Sequence, residues 1–335
     1  MRTRRLGSSG LRVTALGIGT ASFGSDGTDE AVAFEILDRA FAAGIRLIDT
    51  ADSYPSLPDR LGAAERIVGR WVASRDVRDE VVIATKVNYP MTRSLNSGGL
   101  GRGHILRAVD DSLDRLQTDH IDLLQAHQVD RGTPVLETVR AFDSVVQRGA
   151  VHYYGVCNWP AWLIAKACAL ADHWGLHRPI SAQLKYSPVM RDVEREVVPL
   201  CLDEGIGLLT INALAGGLLT GRYRYEDGPN SGRFGSVKVG SSGRSMGEIY
   251  TSRYWSPEHF AAVDALRKAC PTGTAEMVAT VIAWVASRPA VGSVLLGASK
   301  PEQLSAQLDG AARSLDPETA RLIDELWWGI PRKFV

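Results

Sequence analysis

Four ionisable side chains, Asp49, Tyr54, Lys86 and His127, stand at or just beyond the ends of short apolar runs, and their types suit proton transfer. A free tyrosine titrates near pH 10 and is a poor acid or base at neutrality. A lysine cation beside it favours the phenolate and lowers that pKa, while a carboxylate on the far side of the cation keeps the lysine charged and in place. Asp49, Lys86 and Tyr54 therefore form a plausible tuned acid, with His127 as a second donor that polarises a substrate oxygen. No nucleophile is required. Other runs end at or near Asn158, Gln183, Asn212 and Ser299. Burying such groups costs a few kcal/mol each unless they pair with one another or with a ligand, so their recurrence points to one shared site.

Positioning these groups requires elements whose ends converge. Strand-like runs recur at 15–20, 46–50, 81–86, 121–127, 151–158, 181–186, 207–212 and 293–299, with helical patterns between them. Gly44, Gly149 and Gly205 each separate a helical pattern from the next run, where a left-handed residue is wanted. Ser256-Pro257 and Asp316-Pro317 each offer an N-cap followed by proline at the first helical position. The first seven runs start roughly 25 to 40 residues apart, room for a strand, a helix and two loops, and the last interval is much longer. Eight such units predict an α/β fold, a closed (β/α)8 TIM barrel with its chemistry at the C-terminal ends of the strands. The expected organisation is a single barrel domain over 1–335. A short N-terminal hairpin turns at Ser9-Gly10, and the Gly/Ser-rich stretch 222–255 reads as a mobile loop insertion after strand seven, followed by an extra helix from Pro257 to Ala269.

Composition narrows the alternatives. The chain of 335 residues carries 38 Lys+Arg against 38 Asp+Glu, so it has no strong basic field with which to hold nucleic acid. Hydrophobic residues make up 45% and charged ones 23%, ordinary for a globular chain, and no apolar run reaches the roughly 20 residues that span a bilayer. The basic start, Met1 to Gly7, runs into Ser8, Ser9 and Gly10 and does not read as a secretion signal. Cys157, Cys168, Cys201 and Cys270 lie far apart, which suggests buried reduced thiols and a cytoplasmic protein. A metal-dependent hydrolase needs several ligands at the strand ends, and only His127 and Asp49 qualify, so no metal is expected there. His120 and His152 lack such company and read as structural. Trp327-Trp328 reads as an anchor for a C-terminal helix.

Taken together, the motifs resemble the aldo-keto reductase family. Gly44-Ile-Arg-Leu-Ile-Asp49-Thr-Ala-Asp-Ser-Tyr54 looks like its strand-two signature, Ala84-Thr-Lys86-Val its strand-three lysine and Leu124-Gln-Ala-His127 its strand-four histidine. Gly155-Val-Cys157-Asn158 is similar to the family's G-V-S-N with Cys for Ser, and Gln183 takes the place of the strand-six glutamine. Leu214-Ala-Gly-Gly-Leu-Leu-Thr-Gly221 resembles the strand-seven loop, and Gly297-Ala-Ser-Lys300-Pro-Glu-Gln303 the phosphate-binding turn after strand eight. The segments Asn158-Trp-Pro-Ala and Asn212-Ala-Leu-Ala-Gly-Gly-Leu resemble, by analogy, those of actinobacterial-type sugar or secondary-metabolite ketoreductases.

The resemblance implies hydride transfer between a nicotinamide cofactor and a small carbonyl or alcohol, with Tyr54 as the acid. It implies that Cys157, Asn158 and Gln183 hold the amide side of the nicotinamide, with further cofactor contacts from Gly19, Thr20, Asp49 and Asn212. Along the pyrophosphate it implies Leu214, Gly216, Leu218, Gly221 and Arg222, and at the adenosine phosphate Gly297, Ser299, Lys300, Gln303 and Gln307. Ser299 and Lys300 favour NADP(H), with NAD(H) as the alternative. Ile211 stands where many relatives place an aromatic ring, and Ala306 and Gln307 where they often have Glu and Asn. Phe23, Tyr54, Tyr89, Trp159 and Tyr250 are candidates for an apolar substrate pocket. The alternative that the resemblance leaves open is a cofactor-binding regulatory barrel with little turnover, as in relatives attached to ion channels. Oligomeric state is left open.

Overall fold

Apolar, β-rich runs that begin at buried positions and stop at polar ones form strands, and in the computed structural model eight of them close into a parallel barrel. The structure describes residues 1–237, 239, 243–310 and 313–331. The chain opens with the antiparallel pair β1 (Thr3–Arg5) and β2 (Arg12–Thr14). The barrel strands follow as β3 (Leu16–Gly19), β4 (Leu47–Asp49), β5 (Val82–Val87), β6 (Ile121–Ala126), β7 (Val151–Cys157), β8 (Ser181–Lys185), β9 (Gly207–Ile211) and β10 (Val291–Gly297), with β10 hydrogen-bonded to β3. This is a (β/α)8 TIM barrel with a short N-terminal hairpin.

Helices α1 (Glu30–Ala42), α2 (Ala63–Arg75), α3 (Arg102–Leu116), α4 (Val135–Gln147), α5 (Ala161–Trp174) and α6 (Val197–Asp203) connect the first seven strands. Their ends follow local chemistry. The Asp29 side chain accepts from the Val32 N–H at the start of α1, and Gly44, Gly149 and Gly205 all take positive φ where helix turns to strand. After β9 come α7 (Met246–Tyr254), α8 (Pro257–Ala269) and α9 (Thr274–Ala286), and after β10 come α10 (Leu304–Asp309) and α11 (Pro317–Leu326). Ser256 and Asp316 are the N-caps of α8 and α11, each followed by its proline.

The hairpin seals the N-terminal end of the barrel. Leu6 and Val13 bury against Leu47, Ala84, Leu123, Leu209 and Leu295, each such side chain contributing roughly 1.5–3 kcal/mol. Gly7, at φ +62°, lets the turn approach closely, since a Cβ there would lie 2.2 Å from the Gly205 carbonyl oxygen. With that end closed and filled, the polar strand ends gather at the other.

The insertion 222–255 carries more structure than a loop. A capping box starts α7, with the Ser245 and Glu248 side chains each accepting from the other's backbone N–H. Phe234 packs edge-on against Tyr223, Tyr250 and Trp255. The signals were a Ser-x-x-Glu motif and interspersed aromatic residues, hidden in a Gly/Ser-rich background. Part of the insertion lies outside the described residues. Trp327 packs against the core, while Trp328 is 69% exposed. Among the described residues no single helix is long and apolar enough to cross a membrane.

Candidate active site

Asp49 ends β4, Lys86 is the next-to-last residue of β5, and His127 follows β6 directly. Strand register sets them in a stagger of two residues from strand to strand: Asp49 pairs with Ala84, two before Lys86, and Lys86 with Gln125, two before His127. Lys86 is fully buried and its Nζ donates to Asp49 Oδ2 at 2.6 Å and to the Thr50 carbonyl at 2.7 Å. The same ammonium lies 4.8 Å from the centroid of the Tyr54 ring. His127 meets the Tyr54 ring edge-on at 5.6 Å and the Tyr89 ring at 5.0 Å. The four expected groups therefore form one cluster.

Asp49 is held from its other side by a residue to which the sequence reading gave no role. Gln125 Nε2 donates to Asp49 Oδ1 at 3.1 Å, and Gln183 Nε2 donates to the same oxygen at 2.7 Å. The carboxylate thus accepts from a cation and two amides, which fixes the direction from which Lys86 approaches. The signal was present: Gln125 lies two residues before His127, on the same side of a strand with period two.

Electrostatics corrects one expectation. Tyr54 is partly exposed as a residue, but burial dominates its titration and pushes the phenol up to about 12, against the downward pull of Lys86. The cation acts in the expected direction but loses to desolvation, which disfavours the phenolate. Tyr54 is consequently a protonated donor at neutral pH. Burial by itself would lower Lys86, but Asp49, then Tyr54 and Cys157, outweigh it and hold the ammonium above its ordinary value. Burial, with Lys86 adding to it, holds His127 well below the usual imidazole range, so it is neutral. The Cys157 thiol is pushed up to about 12 by burial and is no thiolate. The arrangement offers one phenol proton, one neutral imidazole and a fixed buried cation.

Groups expected around a cofactor divide into those that remain available and those already engaged. Asn158, at φ +59°, donates through Nδ2 to the His127 carbonyl and the Cys157 sulfur, both at 3.2 Å, and accepts from Lys185 Nζ at 3.3 Å. Asn212 donates to the Tyr254 hydroxyl at 2.6 Å and accepts from the Gly216 N–H at 2.9 Å, tying the loop after β9 to α7. Thr20 is fully buried with its hydroxyl on the Asp49 carbonyl at 3.1 Å, so it holds the backbone of Asp49. Gly19, at the end of β3, pairs with Asp49 and Gly297.

In the loop from Leu214 to Arg222, Ala215, Gly216, Gly217 and Gly221 all have positive φ, and the N–H groups of Ala215, Gly216 and Gly217 are taken up within the turn by the Asn212 carbonyl, Asn212 Oδ1 and the Leu214 carbonyl. A Cβ on Gly216 would come 2.4 Å from the Tyr250 ring, so only glycine fits. Leu218 points into the core, and Arg222 lies over the Tyr223 ring at 4.6 Å with its side chain exposed.

In the turn after β10, Gln303 Oε1 accepts from the Ser299 N–H at 2.8 Å and the Lys300 N–H at 3.3 Å, leaving the exposed Lys300 ammonium as the cation of that turn. Gln307 is buried, and its Nε2 donates to the carbonyls of Gly297 and Gln303, which draws it away from an adenosine contact. Of the apolar pocket candidates, Tyr54, Tyr89 and Tyr250 are partly exposed. Trp159 is buried, and Phe23 is fully buried in the core.

Comparison with known proteins agrees with this fold. The model of the Aldo/keto reductase family matches residues 15–327. The chain is 34% identical over 330 residues to the uncharacterized oxidoreductase YrpG of Bacillus subtilis, covering 97% of this chain and 95% of that protein. It is 34% identical over 309 residues to a probable voltage-gated potassium channel subunit beta of Oryza sativa, covering 91% of this chain and 89% of the relative. Over 233 residues it is 37% identical to norsolorinic acid reductase B of Aspergillus parasiticus, covering 66% of this chain and 59% of that protein.

Proposed function

Because the chain belongs to the aldo/keto reductase family, we propose that it is an NADP(H)-dependent oxidoreductase that reduces an aldehyde or ketone to an alcohol, with Tyr54 as the general acid. The observation that carries this reading is the buried Asp49–Lys86 pair beneath a protonated Tyr54 and a neutral His127. The residues present fit a dinucleotide: the exposed Arg222 and Lys300 cations can meet its phosphates, and the side-chain carbonyls of Asn158 and Gln183, whose amide N–H groups are engaged, keep acceptor capacity near the catalytic cluster. When bound, the reduced nicotinamide supplies a hydride to the carbonyl carbon.

The protein's own groups then manage the charge on oxygen. Tyr54 gives its hydroxyl proton to the carbonyl oxygen as negative charge develops there. The Lys86 cation offsets the phenolate that remains, and Asp49 keeps that cation from drifting toward solvent. A neutral His127 donates an N–H to the same oxygen without competing for the proton. Preference for NADP(H) over NAD(H) rests on Lys300, a point charge in the exposed turn after β10. The substrate is a small carbonyl compound that packs against Tyr54, Tyr89 and Tyr250. The name of norsolorinic acid reductase B supports the reductase reading. Four free, buried cysteines fit a cytoplasmic protein.

Similarity to potassium channel beta subunits favours a second reading, in which the barrel binds the same cofactor and serves a partner with little turnover. A panel of aldehydes, ketones and keto-sugars, followed by loss of NADPH and NADH absorbance, separates the two. Turnover of any panel member well above the cofactor-only rate supports the reductase. Tight cofactor binding without turnover across the panel supports the second reading.

A further inference from the structure

We propose that His120, Asp122 and His152 form a binding site for one divalent first-row cation, best matched by zinc, on the barrel face opposite the candidate active site. Strand register carries the argument. Ile121 pairs with Val151 and Leu123 with Tyr153, so Asp122 and His152 lie side by side at the N-terminal ends of β6 and β7. His120 immediately precedes β6. Its Nε2 lies 3.9 Å from Asp122 Oδ1, and His152 Nδ1 lies 3.7 Å from the same oxygen. The three ligand atoms all fall within 4.8 Å of one another.

Two further contacts set the cluster up as a site. The remaining nitrogen of His120, Nδ1, lies 2.6 Å from Asp119 Oδ1, the carboxylate–imidazole contact that directs the Nε2 lone pair toward Asp122. Asp122 Oδ2 accepts from the Arg78 guanidinium at 2.9 Å and from the Ile83 N–H at 2.8 Å, which fixes the carboxylate and leaves Oδ1 facing both imidazoles. Tetrahedral zinc with bonds of about 2.0 to 2.2 Å places neighbouring ligand atoms about 3.3 Å apart. The 3.9 and 3.7 Å separations require a closure of about half an ångström each, and the two imidazole nitrogens, within 4.8 Å of one another, a closure of at most about 1.5 Å; the imidazoles also turn out of their present stack, in which the rings are 4.5 Å apart and inclined by 22°. The His152 side chain is 48% exposed and has room to make it, and water reaches the fourth position from the same side. Imidazole and carboxylate together suit zinc. At the N-terminal ends of the strands, the ion would join β6 to β7 and add stability rather than chemistry.

The test uses the tag-free full-length chain, stripped with a chelator and titrated with zinc chloride by calorimetry. The expected result is one equivalent of zinc bound, with a higher melting temperature in zinc. Affinity should fall roughly tenfold or more in His120→Ala and in His152→Ala, and roughly ten- to a hundredfold in Asp119→Asn. His177→Ala, which removes the imidazole beside Asp143, should bind as the wild type does. Cobalt(II) added to the wild type should give the visible absorption of a tetrahedral nitrogen–oxygen site, a readout that needs no variant to fold. Zinc binding of equal strength in the wild type and both histidine variants would overturn the proposal, as would the absence of a cobalt spectrum. Carbonyl reduction should be the same with and without zinc, so failure here leaves the reductase reading intact.

Discussion

Replacing Lys86 with methionine keeps the side chain's length and removes the cation that links Asp49 to Tyr54. Its Nζ lies 2.6 Å from Asp49 Oδ2 and 4.8 Å from the Tyr54 ring centroid, so both neighbours lose a close charge. A hydrogen bond to a charged group is worth about 1.5 to 3 kcal/mol, and 1.36 kcal/mol is one pKa unit, so the Tyr54 phenol should rise by about one to two units. It already sits at about 12, where burial outweighs the lysine, so the shift carries it further from neutrality. Alcohol oxidation requires the phenolate. Its kcat/KM should therefore climb close to tenfold per pH unit between about pH 7 and about pH 11 in the wild type. In Lys86→Met the line should run parallel and about ten- to a hundredfold lower. Superimposable lines, in a variant that folds and binds cofactor, would refute the coupling of Lys86 to Tyr54. Removing one partner of a buried pair costs about 3 to 5 kcal/mol, softened here by Gln125 and Gln183 on the Asp49 carboxylate. The double variant Asp49→Asn/Lys86→Met removes both charges, and its melting temperature should recover above that of Lys86→Met.

Lys300→Ala should cost roughly 1 to 3 kcal/mol in kcat/KM with NADPH and little with NADH, as for a charge-assisted hydrogen bond to the 2′-phosphate; equal losses with both cofactors would remove Lys300 from phosphate recognition. Asp52 is fully buried, and burial, followed by the nearby Glu65, pushes its carboxyl up to about 8. A carboxyl raised in the folded state stabilises most below its unfolded pKa and loses that contribution as pH rises through the folded value, by at most about 1.4 kcal/mol per pH unit. Asp52→Asn should thus raise the melting temperature more at about pH 8 than at about pH 5, and thermal scans at the two values check it.

The barrel was legible because its strands are short, apolar and closed by polar residues, and because glycine or a Ser-Pro or Asp-Pro pair marks so many helix ends. The candidate cluster was legible because Asp49, Lys86 and His127 each lie at the end of a strand. The titration of Tyr54 was not, because the cation that lowers its pKa can be named from a motif, whereas the desolvation that raises it depends on every segment packed around the ring. Gln125 was passed over although its spacing from His127 places it on the inward side. Thr20 and Gln307 have the residue types of ligand contacts, yet both serve backbone carbonyls. Such partners lie far away in sequence or on a loop whose path only the folded chain reveals. Helix α7 was missed for another reason: a sound capping box was outweighed by the glycines and serines around it.

The most direct test of the account is the rate of carbonyl reduction by Tyr54→Phe, measured in a single turnover with NADPH alongside the cofactor's dissociation constant. Loss of the phenol proton should slow reduction by at least about a hundredfold, the scale of general acid catalysis, while NADPH binds as tightly as it does to the wild type. Reduction at close to the wild-type rate, with cofactor binding intact, would contradict the assignment of Tyr54 as the acid.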